Sequence, residues 1–342
     1  MAWATPQFSR ADVDAAGEVL IAQHPPAHEL DHALQVINNW RTSHAYTLNT
    51  FQATLRYKAK QVYEQPLVAQ RVKRLSSIHQ KLQRFSWLKL SDMQDIGGCR
   101  AIVPRKWLVD KLVSLYKKSG LKHKLDDEDD YIRKPKRSGY RGFYLIYRYN
   151  SDKIATYNGL KIEMQFRSSL QHAWACAVET VGTFTQQALK SSQGEKNWLR
   201  FFALMGTAMA MRERTEPVPD TPTKKRDLSE ELRDYAQRLD VENCLNGYGA
   251  ALQILEEPGT KGMHYFLVEL DAKANQTRIK GYRRGELETA STQYLEAERK
   301  LSDEASNAVL VSVDSMAALR RAYPSYFLDT RVFVREIRQA LK

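Results

Sequence analysis

Residues 159–174 read GLKIEMQFRSSLQHAW, and the order of residue types there decides what kind of layer the chain builds. Ile162, Met164 and Phe166 fall on one face of a strand, and Lys161, Glu163, Gln165 and Arg167 fall on the other, as a period of two requires. Ser168 and Ser169, both good capping residues, then open a run in which His172, Ala173, Cys176, Ala177 and Thr180 recur at helical spacing. A strand with a carboxylate, an amide and a guanidinium on one face thus runs directly into a helix with an imidazole in its first turns. The same alternation also suits an ordinary sheet strand with a solvated outer face.

Outward from this stretch, residues 143–149 alternate as a second strand, with 154–167 as its neighbour. Residues 93–103 read as a loop feeding a buried strand through Ala101, Ile102 and Val103, and 107–119 as an amphipathic helix ended by Gly120. Residues 9–20 form a short capped helix. Across 27–64 apolar residues recur at three and four, which gives one long helix or two joined near Ser43. The Arg/Lys-rich stretch 66–85 is expected to be helical. The acids of 126–130, followed at once by Arg133, Lys134, Lys136, Arg137 and Arg141, are expected to form a solvated loop. After a helix over 195–212, the segment EPVPDTPT at 216–223 carries three prolines and reads as a linker.

Beyond it the pattern gives helices near 228–238 and 241–255, strands near 264–270 and 278–283, a helix over 286–301, a strand over 308–313, a short helix and a last helix from Thr330. The fold class is α+β. The division is 1–215, a mixed sheet flanked by helices, then 216–223, the linker, then 224–342, a smaller α+β domain.

The chain has 342 residues and a formal net charge of +12, which favours a polyanionic partner such as nucleic acid or nucleotide phosphate. Cys99, Cys176 and Cys244 lie too far apart for a zinc ribbon or a disulfide framework, so no zinc is expected and a reducing, cytoplasmic setting is. No signal-peptide core and no stretch of membrane-spanning length is present, so no membrane partner is expected.

The candidate chemistry lies in four places. With Arg71 two residues ahead, Lys73, Ser77 and Lys81 would, on a helix, put cations and a hydroxyl in one stripe suited to a chain of phosphates. Asp95 stands before Gly97 and Gly98 and five residues before Arg100, where a carboxylate beside exposed backbone can hold Mg²⁺ against a triphosphate. Glu163, on a neighbouring strand, gives a second carboxylate as metal ligand or general base. Two such groups are the minimal apparatus for moving a phosphoryl or pyrophosphoryl group onto a hydroxyl, and no Walker loop is present.

Four motifs, Arg71-x-Lys73-x3-Ser77-x3-Lys81, Asp95-Ile-Gly-Gly-Cys-Arg100, Asp130-Tyr-Ile-x2-Pro-Lys136-x2-Gly139-Tyr140 and Glu163-x-Gln165-x-Arg167-x4-His172, resemble in order and separation those of the RelA/SpoT-type pyrophosphokinase domain. The resemblance covers about residues 30–215. It implies a nucleotidyltransferase-like synthetase sheet and transfer of the ATP β,γ-pyrophosphate to a ribose 3′-hydroxyl. It further implies that Arg71 packs on adenine, that Lys73, Ser77, Lys81 and Arg100 hold phosphates, and that Asp95 and Glu163 bind Mg²⁺, with Glu163 also acting as base. By the same resemblance Tyr140 stacks on the acceptor base, Lys136 meets an acceptor phosphate, and Gln165, Arg167 and His172 line the site. One position departs from the family pattern. Tyr144 stands where alarmone synthetases have a histidine, which bears on the GDP/GTP acceptor and leaves the donor site untouched.

Tyr323-Pro-Ser-Tyr326 lies between two helices of the C-terminal part. With the linker and the absence of paired cysteines, it resembles the fused toxin–antitoxin CapRel family. That resemblance implies that a degenerate zinc-finger-like domain uses Tyr323 and Tyr326 to cover the ATP site, that a phage capsid or other phage protein relieves the block, and that the acceptor is the 3′-terminal CCA end of tRNA. A small alarmone synthetase making (p)ppGpp or (p)ppApp from guanosine or adenosine nucleotides is the alternative. The +12 charge, including Arg41, Arg56, Lys58, Lys60, Lys117 and Lys118, suits a tRNA body, because neutralising phosphates supplies most nucleic-acid affinity.

Overall fold

The computed structural model describes residues 3–185, 189, 194–257, 262–300 and 306–342. The chain runs α1 (Arg10–Ile21), α2 (Ala27–Val62), β1 (Leu67–Val72), α3 (Leu75–Arg84), β2 (Gly97–Val103), α4 (Lys106–Lys118), β3 (Lys124–Asp130), β4 (Phe143–Arg148), β5 (Lys161–Ser168), α5 (Ser169–Phe184) and α6 (Lys196–Glu213). It continues through α7 (Lys225–Arg238), α8 (Val241–Ala251), β6 (Gln253–Glu256), β7 (Tyr265–Asp271), β8 (Gln276–Tyr282), α9 (Leu287–Lys300), β9 (Asn307–Ser312), α10 (Met316–Ala322), a 3₁₀ turn (Pro324–Phe327) and α11 (Arg331–Ala340).

The expected mixed α+β architecture is present, in one nine-stranded sheet ordered β3-β4-β5-β2-β1-β9-β7-β8-β6. β2 and β5 are parallel, and β4 is antiparallel to β5. Segment 27–62 is a single helix, and the side chains of Ser9 and Asp12 close a capping box on α1.

Three expectations are corrected. The stretch 66–85 is a strand followed by a helix. Pro66 ends any incoming helix, and the run Leu-Val-Ala-Gln-Arg-Val finds a full antiparallel partner in β2, from Leu67 opposite Ile102 to Val72 opposite Gly97. Lys73, which lies before α3, is therefore not on one helical stripe with Ser77 and Lys81. The acidic run 126–130 is not a loop but most of β3, an edge strand against β4, where charge protects an open edge. Arg148 and Lys117 take up Asp126 and Glu128 at 2.8 and 2.5 Å. Finally, α8 stops at Ala251 and residues 253–256 pair in parallel with β8. Of the helix expected over 286–301, Leu301 lies outside the described residues.

The two faces of the sheet differ in chemistry. On one, Ile162, Met164, Phe166, Cys99, Ala101 and Val68 pack against α2 and α4 in the main core. Register puts the side chains of Arg71, Arg100, Glu163, Gln165, Arg167 and Tyr144 on the other, with Gly98 opposite Glu163 and Arg100 opposite Gln165. That face is not solvated. Gln165 and Arg167 are buried beneath helical cover.

The segment 216–223 is anchored on α6. Val218 is buried, its N–H donates to Thr207 Oγ1 at 2.9 Å, and the Thr207 and Thr221 hydroxyls lie 2.6 Å apart. β9 joins β1 through Gln70–Ser312 and Arg71–Val311, which makes the sheet continuous from the N-terminal to the C-terminal part.

Candidate active site

Three groups of polar side chains stand along the covered face. At the end of β1 and the start of α3, Lys73 Nζ and Lys81 Nζ donate to the two oxygens of Asp95 at 2.6 and 2.8 Å. Burial alone would raise the Asp95 pKa, but the two ammonium groups outweigh it and hold the carboxyl well below its usual range. Lys73 is pulled the other way, its pKa lowered by burial despite its partner. Although the helical stripe is absent, the β1–α3 turn brings Lys73 and Lys81 onto one carboxylate. Ser77 is half-buried in the first turn of α3, one turn before Lys81.

The second group is a relay across two neighbouring strands, β2 and β5. Arg100 Nε donates to Gln165 Oε1 at 3.0 Å, and Gln165 Nε2 donates to Glu163 Oε2. Glu163 is half-buried, and Gly98 opposite it keeps the space over the carboxylate clear, since a Cβ there would lie 4.0 Å from Glu163 Oε2. Asp95 lies two residues before β2, and Glu163 lies on β5 opposite Gly98 of β2.

The third group is aromatic. Arg167 Nη2 donates to the hydroxyls of both Tyr140 and Tyr144, the latter at 3.0 Å, and its guanidinium lies 5.2 Å from the Tyr140 ring centroid. Tyr144, at the departure from the family pattern, thus binds the guanidinium of the same site. Lys136 Nζ sits over the Tyr131 ring at 4.1 Å and 5.8 Å from that of Tyr140. Tyr131 is a site neighbour that sequence reading passed over, although it lies within the third motif.

His172 points elsewhere. Its Nε2 donates to the backbone carbonyl of Arg321 at 3.0 Å, and burial, with Arg100 and Arg167 nearby, pushes its pKa down to about 3. The helix that carries it starts where expected, with Ser168 and Gln171 in a capping box.

Tyr323 and Tyr326 are 6% and 9% exposed and stand against Gln70, Arg74 and Arg100. The Tyr323 hydroxyl donates to the Gln70 carbonyl at 3.2 Å, and Arg100 lies 5.9 Å from its ring centroid. Arg74 Nη1 approaches the Tyr326 hydroxyl at 3.5 Å, Thr277 Oγ1 donates to the Tyr326 carbonyl at 2.6 Å, and Ser325 Oγ donates to Glu179 at 3.0 Å. Arg71 stays charged, since the surroundings that include both tyrosines and Asp95 outweigh the effect of burial.

Asp95 and Glu163 fit Mg²⁺ by donor chemistry, being hard carboxylate oxygens. Two of them call for phosphate oxygens and water to complete six-fold coordination. Among the described residues no group of three or more His, Cys, Asp or Glu could hold a metal by itself.

Residues 70–184 match a family model described as a region found in RelA / SpoT proteins. This segment is a RelA/SpoT-type pyrophosphokinase region. All four motifs fall within it, so the enzyme class is ATP-dependent pyrophosphotransfer. Among curated proteins no match was found. Similar solved structures include a GTP pyrophosphokinase family protein from Streptococcus pneumoniae, at 22% identity and TM-score 0.42, covering 58% of this chain and 93% of that one. The small alarmone synthetase 1 from Bacillus subtilis, bound to its product pppGpp, aligns at 20% identity and TM-score 0.40 over 51% of this chain and 94% of its own. At that distance neither likeness bears on substrate. Among the described residues no helix is long and apolar enough to cross a membrane.

Proposed function

We propose that the chain is an autoinhibited pyrophosphokinase that transfers the β,γ-pyrophosphate of ATP to the 3′-hydroxyl of the tRNA CCA end, and that a phage protein relieves the inhibition. Residues 1–215 are the catalytic part, 224–342 the cover, and 216–223 their junction. The observation that carries this reading is the seat of Tyr323, whose hydroxyl is on the β1 backbone and whose ring is beside Arg100. An aromatic ring against donor-side arginines occupies the kind of position an adenine would take.

Once the cover moves, the residues divide the work. Arg71 packs on the adenine, and Lys73, Ser77, Lys81 and Arg100 bind the donor phosphates. Asp95 and Glu163 would hold Mg²⁺, which supplies charge neutralisation between the phosphates. Glu163, oriented by the Gln165–Arg100 relay, accepts the proton of the attacking 3′-hydroxyl. The hydroxyl oxygen bonds to the β-phosphorus, the α,β-bridging P–O bond breaks, and AMP leaves. Lys136, Tyr140, Tyr144, Gln165 and Arg167 border the acceptor side, while His172 holds the Arg321 carbonyl of the cover. The +12 charge supports a polynucleotide acceptor.

The test is label transfer from γ-labelled ATP with bulk tRNA, GDP, GTP and ATP offered in parallel to the full chain and to Tyr326→Ala. Label on tRNA, raised by Tyr326→Ala and abolished by adding Glu163→Gln, is expected. Label on a free nucleotide instead assigns an alarmone synthetase, and no stimulation by Tyr326→Ala refutes the tyrosine cover.

A further inference from the structure

A second contact between the C-terminal part and the β1–α3 turn lies one residue beyond the Arg74–Tyr326 contact. Glu298 of α9 reaches the first turn of α3, where its Oε1 accepts from the Leu75 backbone N–H at 2.9 Å. The Tyr294 hydroxyl donates to the same oxygen at 2.8 Å, and Arg41 Nη1 lies 2.8 Å from Oε2. Arg41, only 1% exposed, also donates from Nε to the Lys73 carbonyl at 2.9 Å and from Nη2 to Tyr294 at 2.8 Å. One buried guanidinium of α2 thus ties together the β1–α3 turn and α9.

We propose that Arg41 and the open N-terminal turn of α3 form an anion subsite for a donor phosphate, and that Glu298 fills it in the closed protein as a built-in phosphate mimic. This rests on the reading of Lys73, Ser77 and Lys81 as donor-phosphate ligands. The turn bearing Leu75 links Lys73 to Ser77, so a polyphosphate on those groups lies along the first turn of α3, where Glu298 now occupies the Leu75 N–H. The carboxylate is also an imperfect occupant. Its Oε2, although close to Arg41, is buried without an aligned hydrogen bond. A phosphate presents more acceptor oxygens, in directions a planar carboxylate lacks. If α9 withdrew with nothing in its place, Arg41 would be a buried, unpaired cation, which is costly, so release of the plug and arrival of an anion are coupled. Glu298 therefore competes with the phosphates, whereas Tyr323 and Tyr326 compete with the base.

The test is binding of inorganic tripolyphosphate, which has no base to meet the tyrosines, by calorimetry on the full chain. Glu298→Gln keeps the shape and the contact to Leu75 while removing the charge, and is expected to bind tripolyphosphate at least about tenfold tighter than wild type. The double variant Arg41→Gln/Glu298→Gln is expected to lose that gain. Circular dichroism and a thermal melt establish that each variant is folded. Unchanged affinity in folded Glu298→Gln, or equal affinity in single and double variants, overturns the proposal. A chain that binds tripolyphosphate as expected yet transfers no label leaves the subsite standing and refutes the catalytic reading. An active enzyme indifferent to Glu298→Gln does the reverse.

Discussion

His172 and His44 show how far one residue's environment can depart from what its sequence position suggests. Burial is the first cause in both, and it pushes their pKa values down to about 3 and about 4. His44 is held neutral inside α2, with its Nδ1 donating to the Trp40 carbonyl at 2.7 Å. A histidine in the unfolded chain titrates near about 6.5, so between that pH and the folded values the unfolded state binds protons that the folded state refuses. Stability is therefore fully present above about pH 6.5 and falls as the pH falls, each histidine contributing a loss of up to about 1.4 kcal/mol per pH unit. Urea midpoints measured from pH 7 to pH 5 should drop steadily. His44→Gln should flatten the slope, and an unchanged slope in that variant would refute the assignment. His172 was legible in the sequence as part of a motif, but its Arg321 partner was not. A contact across 149 positions leaves no trace in local spacing.

Among the elements, α5 and α6 decide where Tyr140 stands. Gly139 has φ +94°, and α6 packs directly on it. A Cβ there would lie 2.7 Å from the Phe202 carbonyl oxygen and 2.9 Å from Trp174. The Trp174 indole N–H donates to that same carbonyl at 2.9 Å, locking α5 to α6 behind Tyr140. Gly139→Ala is expected to cost about 1–3 kcal/mol from backbone strain and crowding. It should also weaken acceptor binding through displacement of Tyr140 while leaving ATP affinity within about twofold, an expectation based on additivity of distant sites. Thermal melts and separate titrations of donor and acceptor would check both halves, and equal losses at the two sites would contradict the division. The sequence showed β5 and α5 because alternation and capping are local signals. It hid β1 and β3, whose strand state comes from pairing with β2 and β4. A short run such as Leu67–Val72, or a row of acids, is read as strand only once its partner is known.

For the whole molecule, the consequential fact is that β9 completes the sheet beside β1. Leu67, Ala69 and Ile102 from the N-terminal part share a core with Val309, Val311, Phe266 and Leu328 from the C-terminal part. Ending the chain at Pro222 would expose that apolar surface and bare the edge of β1. The truncated chain is expected to aggregate or to melt well below the full chain in light scattering and calorimetry. A soluble, equally stable truncation would show that the shared core contributes little. For the same reason, point changes at Tyr326 and Glu298 are cleaner tests of the cover than its removal.

What the sequence by itself determined is the chemistry of the β5 strand and its three companion motifs. Glu163, Gln165 and Arg167 must share a face, and Asp95, Lys73 and Lys81 supply one acid and two bases, because periodicity and residue type act over a few neighbours. Only the tertiary structure decided that this polar face is buried, that Tyr323 and Tyr326 lie against Arg100 and Arg74, and that Glu298 reaches Leu75. Those contacts join residues more than two hundred positions apart, and long-range strand pairing and shared burial, not local propensity, bring them together.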